Sequence, residues 1–131
     1  MKPILLSTLI LTGLSANALD YTKSLCKNDD RTYSYEEHIG RIVENLEKNT
    51  GCTATLISEN CAITAGHCVS ILNFLEFNIP HPQADQEPPH AAENDVYTVD
   101  KSSIKSQDGG MGKDWAIFKV NPNKITGKFP G

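Results

Sequence analysis

The sequence predicts an all-β domain, on three observations. Short apolar or alternating stretches recur along the chain, turn-forming residues separate them, and no stretch carries a convincing amphipathic-helix period. That pattern suits a closed barrel or a sandwich. At 131 residues the chain holds one small domain at most. Its net charge of -4 and pI near 5.5 argue against a polyanion-binding protein, so no nucleic-acid partner is expected.

Residues 1–18 have the layout of a secretory signal peptide. Lys2 gives the positive start, Ile4 to Leu14 the apolar core, and Ala16-Asn17-Ala18 a cleavage site of the A-x-A kind. The apolar run is short for a membrane span and nothing later in the chain is a candidate, so the mature form, residues 19–131, is expected off the membrane. Export, to the extracellular space or a periplasm, puts the four cysteines where disulfides are the default. Four cysteines allow three pairings.

Asp20 to Asn28 is polar and reads as irregular. The first strand is His38-Ile39-Gly40-Arg41-Ile42-Val43, where apolar and other residues alternate. Glu44 to Gly51 is a charged loop. Thr53–Ile57 and Ala62–Ala65 are the next two strands, joined by the turn Ser58-Glu59-Asn60, and they lead into Gly66-His67-Cys68. Leu72–Ile79 alternates well enough for a fourth strand. Pro80 to Ala92 carries four prolines and is predicted to be an exposed loop. Val96–Ile104 is the fifth strand, Gly109-Gly110-Met111-Gly112 a turn, and Asp114–Val120 the sixth strand. The glycine turn fits no phosphate-binding pattern.

Two motifs point to chemistry. Thr64-Ala65-Gly66-His67-Cys68 resembles the Thr-Ala-Ala-His-Cys signature of trypsin-like (chymotrypsin-fold) serine proteases. Asp114-Trp115-Ala116-Ile117-Phe118-Lys119-Val120 resembles the Asp-Ile-Ala-Leu-Leu-Lys-Leu strand of the same family. The resemblance implies that the strands close into a six-stranded antiparallel β-barrel, the first of the two in that fold. It implies that His67 is the general base and Asp114 the carboxylate that orients it, in the order histidine then aspartate. It also implies a Cys52–Cys68 disulfide, with Cys26 and Cys61 then left to each other, a second bridge the family does not generally supply. Gly66 where alanine is commoner is a mild departure. Asp29-Asp30-Arg31 ahead of the first strand resembles the start of the mature chain in the glutamyl-endopeptidase, or V8-like, branch. No Ile-Val-Gly-Gly stands there, so activation by a new N-terminus is not carried over.

No serine follows Asp114, and no Gly-Asp-Ser-Gly-Gly-like stretch occurs. The resemblance therefore covers the N-terminal half of such an enzyme, with the nucleophile, oxyanion hole and specificity pocket expected in a second barrel absent from this sequence. The implied function is serine-type endopeptidase, acting on protein or peptide substrates without a cofactor, and this chain alone is expected to be inactive. The alternative is a secreted, non-catalytic pseudoprotease that holds a partner. A metal reading of Cys61, His67 and Cys68 is poor, because no Cys-x-x-Cys occurs and the spacing suits no zinc module. His38, His81 and His90 are given no role. In the sixth strand Trp115 and Ile117 face one way and Ala116, Phe118 and Val120 the other, a pattern for a strand covered on both sides.

Overall fold

The computed structural model describes Ser34 and residues 36–48, 51–82 and 88–131. Six strands form in chain order: β1 (Ile39–Val43), β2 (Cys52–Leu56), β3 (Cys61–Thr64), β4 (Phe74–Glu76), β5 (Val96–Asp108) and β6 (Asp114–Val120). They close into one antiparallel barrel in the order β1-β2-β3-β6-β5-β4, with β4 returning to β1. The expected all-β, six-stranded antiparallel barrel is therefore the observed fold. Among the described residues two short 3-10 helices, Gly66–Ile71 and Glu93–Asp95, lie between strands. No helix among the described residues is long and apolar enough to cross a membrane.

Alternation along the strands fills the barrel. Ile42 of β1, Ala54 and Leu56 of β2, Ala62 of β3, Leu75 of β4, Tyr97 and Val99 of β5, and Phe118 and Val120 of β6 form one buried cluster. Leu72 and Phe77, on either side of β4, complete it. Phe77 meets Tyr97 edge to face, ring centroids 5.8 Å apart, the arrangement that aromatic quadrupoles favour.

The strand limits depart from expectation at β4 and β5, for local reasons. Leu72–Ile79 keeps only Phe74–Glu76 as strand. Leu72 closes the preceding 3-10 helix through its N–H to the Val69 carbonyl. At the other end, the Phe77 N–H turns to the Asp95 carbonyl and Asn78 takes a positive φ of 49°, which ends extended pairing. β5 runs on past Ile104 to Asp108, because the glycine turn pairs it with β6 as a long hairpin. Register shifts between Asp100 and Lys105. That bulge is stitched by side chains: Ser102 N–H and Oγ both donate to Asp100 Oδ1, and Ser103 Oγ donates to the Asp100 carbonyl while accepting the Lys119 N–H.

The segment from Pro88 to Ala92 is irregular, as its prolines demand, but it is more than an exposed loop. It lies as a strap against Arg41 and Glu76, which are register partners on β1 and β4. Glu76 is fully buried. Its Oε2 accepts from Arg41 Nε at 3.0 Å and Nη2 at 2.7 Å, and its Oε1 lies 2.7 Å from His90 Nδ1. Arg41 also donates to the Pro89 carbonyl at 2.8 Å. His90, given no role from sequence, thus packs half-buried against a buried acid, with its Nε2 lacking a hydrogen-bond partner among the described residues. Further on, buried Asn123 fastens the segment after β6. Its amide donates to the Glu93 and Val96 carbonyls and its Oδ1 accepts from the Ile125 and Thr126 amides.

Candidate active site

Sequence places His67 and Asp114 forty-seven residues apart; the barrel brings them together because β3 and β6 are neighbours. Their register ends with Thr64 opposite Ala116, so the residues just after β3 reach the start of β6. Thr64 Oγ1 donates to the Thr53 carbonyl at 2.8 Å and ties the end of β3 to β2. Ala65 is extended, and the chain then winds into the 3-10 helix with the Cys68 N–H on the Ala65 carbonyl. This abrupt turn carries His67 out of the sheet beside Asp114.

Asp114 holds His67 with both oxygens. Oδ2 is 2.7 Å from His67 Nδ1, and Oδ1 accepts the His67 backbone N–H at 2.9 Å. A carboxylate only accepts, so the pair places the imidazole proton on Nδ1 and leaves Nε2 as the free ring nitrogen. The side chain of His67 is 61% exposed and that of Asp114 30%. The aspartate is therefore partly screened while the imidazole opens to solvent. The hydrogen bond from the His67 ring, then that from its backbone, holds the Asp114 carboxyl below the usual carboxylate range; the Gly66 backbone N–H adds to this. Among the described residues no serine hydroxyl bonds to the His67 ring. Those of Ser102 and Ser103 are committed to the β5 bulge.

A disulfide joins Cys52 to Cys68 and clamps the histidine turn to β2. Cys61 stands as a free, half-buried thiol at the start of β3 among the described residues; its expected partner Cys26 lies outside them, as do the signal-peptide segment and Asp29-Asp30-Arg31. Ligand atoms of Cys52, Cys68 and His67 lie within 4.8 Å of one another. With both sulfurs spent in the disulfide the cluster offers no thiolate, which is what a soft metal would need.

A histidine gripped through Nδ1 and its own amide by an aspartate that opens the next-but-two strand, with a disulfide behind it, is a constellation and a topology together. The family model described as Trypsin matches residues 31–129. The chain belongs to the trypsin family. No curated protein and no solved structure matches it. The trypsin-family match begins just before β1 and runs beyond β6, so it takes in every strand of the barrel and both residues of the couple. Serine proteolysis of protein or peptide substrates is the chemistry of this trypsin family.

Sequence reasoning missed two features of the site's surroundings. One is the Arg41–Glu76–His90 cluster, whose members come from segments that pair only once the barrel closes. The other is the fit of Gly66. A β-carbon there would stand 2.0 Å from the Gln107 carbonyl oxygen, so alanine at this position is not the mild change the motif suggests.

Proposed function

We propose that this chain provides the general base, His67, and its orienting acid, Asp114, to a secreted serine endopeptidase. The observation that carries the reading is the two-oxygen hold of Asp114 on His67, which fixes the ring tautomer and leaves Nε2 exposed. In peptide hydrolysis His67 Nε2 takes the proton from an attacking serine and returns it to the leaving amine, while Asp114 stabilises the imidazolium between the two steps. The serine and the oxyanion-hole amides come from outside these 131 residues. In support, no serine follows Asp114 in the sequence. Secretion rests on the layout of residues 1–18, and it agrees with a disulfide beside the site.

A second support is the outer face of the barrel. Register runs Ile39–Thr55–Ile63–Ile117 across four strands, so three isoleucines share one row, with Trp115 two residues along β6. Ile39, Ile63 and Trp115 are exposed, Trp115 at 38%. An apolar row of this kind is suited to a second layer of protein. Retention of a coupled histidine and aspartate argues against a purely partner-holding pseudoprotease.

The test has two parts. The 131-residue chain is assayed on casein and on a peptide library, where no His67-dependent cleavage is expected. The coding sequence is then read past Gly131, and the completed protein is labelled with a fluorophosphonate probe and compared with His67→Ala. Labelling that collapses in His67→Ala supports the proposal. Peptide cleavage by the 131-residue chain that disappears in His67→Ala would overturn the placement of the nucleophile.

A further inference from the structure

We infer that Gly66 is a positioning residue for the His67–Asp114 couple: its missing β-carbon is the space into which the Gln107 carbonyl seats, and that seat sets the separation of the two side chains. The inference rests on the reading of His67 and Asp114 given above, and it concerns how the pair is held rather than what it does.

The fit is steric. A β-carbon on Gly66 would lie 2.0 Å from the oxygen and 2.8 Å from the carbon of the Gln107 carbonyl, and 3.1 Å from Asp114 Oδ1. The first two are backbone atoms, so no rotamer change relieves the collision. Gly66 is not among the positive-φ glycines, so the need is for room and not for an unusual backbone conformation.

Both routes of relaxation run through the couple. Gln107 pairs with Trp115, and the next pair along the hairpin is Asp108 with Asp114. Pushing the Gln107 carbonyl away therefore drags the strand end that carries Asp114. Pushing Gly66 away instead moves the turn that carries His67, whose amide and ring both bond to Asp114. The Gly66 amide, which helps to hold the Asp114 carboxyl below its usual range, is displaced with the turn. Around Asp114 the charged or titratable neighbours are His67 from the turn and Asp108 across the hairpin.

The experiment uses the 131-residue chain and needs no catalysis. Carbon-13 NMR follows the Asp114 carboxyl through acid titration, and hydrogen exchange follows the His67 amide, in wild type and in three variants; a fourth, Asp114→Asn, is read by the His67 signals alone. Gly66→Ala is expected to raise the Asp114 titration midpoint toward the ordinary carboxylate range. It is also expected to cut His67 amide protection by on the order of tenfold, the loss of about one hydrogen bond. Gly40→Ala is the structural control. Its β-carbon would crowd Leu75, Glu76 and Phe77 inside the barrel, so it lowers Tm but leaves both readouts unmoved.

Should Gly66→Ala not fold, Gln107→Gly carries the test. It loosens the carbonyl's seat at an exposed position and is expected to shift both readouts in the same direction. Wild-type values of both readouts in a folded Gly66→Ala, or equal changes in Gly40→Ala, would overturn the inference. Asp114→Asn separates this from the underlying reading. If it leaves the His67 ring resonances and amide protection untouched, the couple itself is not formed in solution.

Discussion

Deleting the carboxylate of Glu76 should be among the most damaging single changes to the barrel, although the residue makes no bond to the His67–Asp114 couple. Its side chain is fully buried and that of Arg41 is 13% exposed. In Glu76→Ala the guanidinium loses two hydrogen bonds and its counter-charge, and His90 Nδ1 loses its acceptor. Removing one partner of a buried pair costs about 3–5 kcal/mol. Arg41 keeps the Pro89 carbonyl at 2.8 Å, which argues for the lower end, about 3 kcal/mol. In a domain of this size that lowers Tm by roughly 12–24 °C. Circular dichroism during heating and urea titration at neutral pH measures both quantities. Glu76→Leu separates charge from volume: it fills the space yet strands Arg41, so it should cost nearly as much as alanine. The double variant Arg41→Leu/Glu76→Leu should recover most of the loss, because an apolar pair replaces an ionic one at little cost. A loss below about 1 kcal/mol in Glu76→Ala would refute the reasoning, since no buried charge would then have been stranded.

Three further outcomes are expected. Cys52→Ala/Cys68→Ala, which opens a loop with a sequence separation of 16, should cost about 3 kcal/mol of unfolding free energy by urea titration, with the wild type under reducing conditions behaving alike. Phe118→Ala, at a position 1% exposed in the barrel centre, should cost about 3–5 kcal/mol, and a smaller loss would mean that the barrel collapses around the cavity. Because the folded state holds the Asp114 carboxyl below its usual range, its contribution to stability is complete above about pH 4 and fades as pH falls through the lowered folded value. Asp114→Asn should therefore flatten the acid limb of the stability profile and leave its shape above about pH 4 unchanged.

The fold was legible because it is written in local signals. Alternation marked β1 and β4, short runs between turn residues marked β2, β3 and β5 to within a few residues, and β6 was placed at Asp114–Val120 as observed. Where the limits differed, tertiary bonds decided. The Asp95 carbonyl takes the Phe77 amide and ends β4 early, and the hairpin partner β6 extends β5. The couple was legible for another reason, since His67 and Asp114 each sit in a distinctive short motif. Glu76 had no such marker. In sequence it is one polar residue among apolar ones, and its burial depends on a strap that follows it by a dozen residues and on Arg41 from β1. Gly66 was visible, but its consequence was not, because the atom that excludes a side chain belongs to Gln107 at the far end of β5.

Closure of the sheet has a bearing on how this molecule would aggregate. With β4 paired back to β1, each of the six described strands has a neighbour on both sides, which leaves little open ladder of amides and carbonyls onto which a foreign strand could add. The row of Ile39, Ile63 and Trp115 remains sticky, but sticky only through side chains. Self-association of the folded protein should therefore be weak, reversible with mild detergent and silent to amyloid dyes, until local unfolding unzips a seam. The contact between β1 and β4 that closes the sheet is three residue pairs long. The same Arg41 and Glu76 that clasp the strap face each other across it, so the charge cluster also fastens the contact that turns an open sheet into a closed barrel.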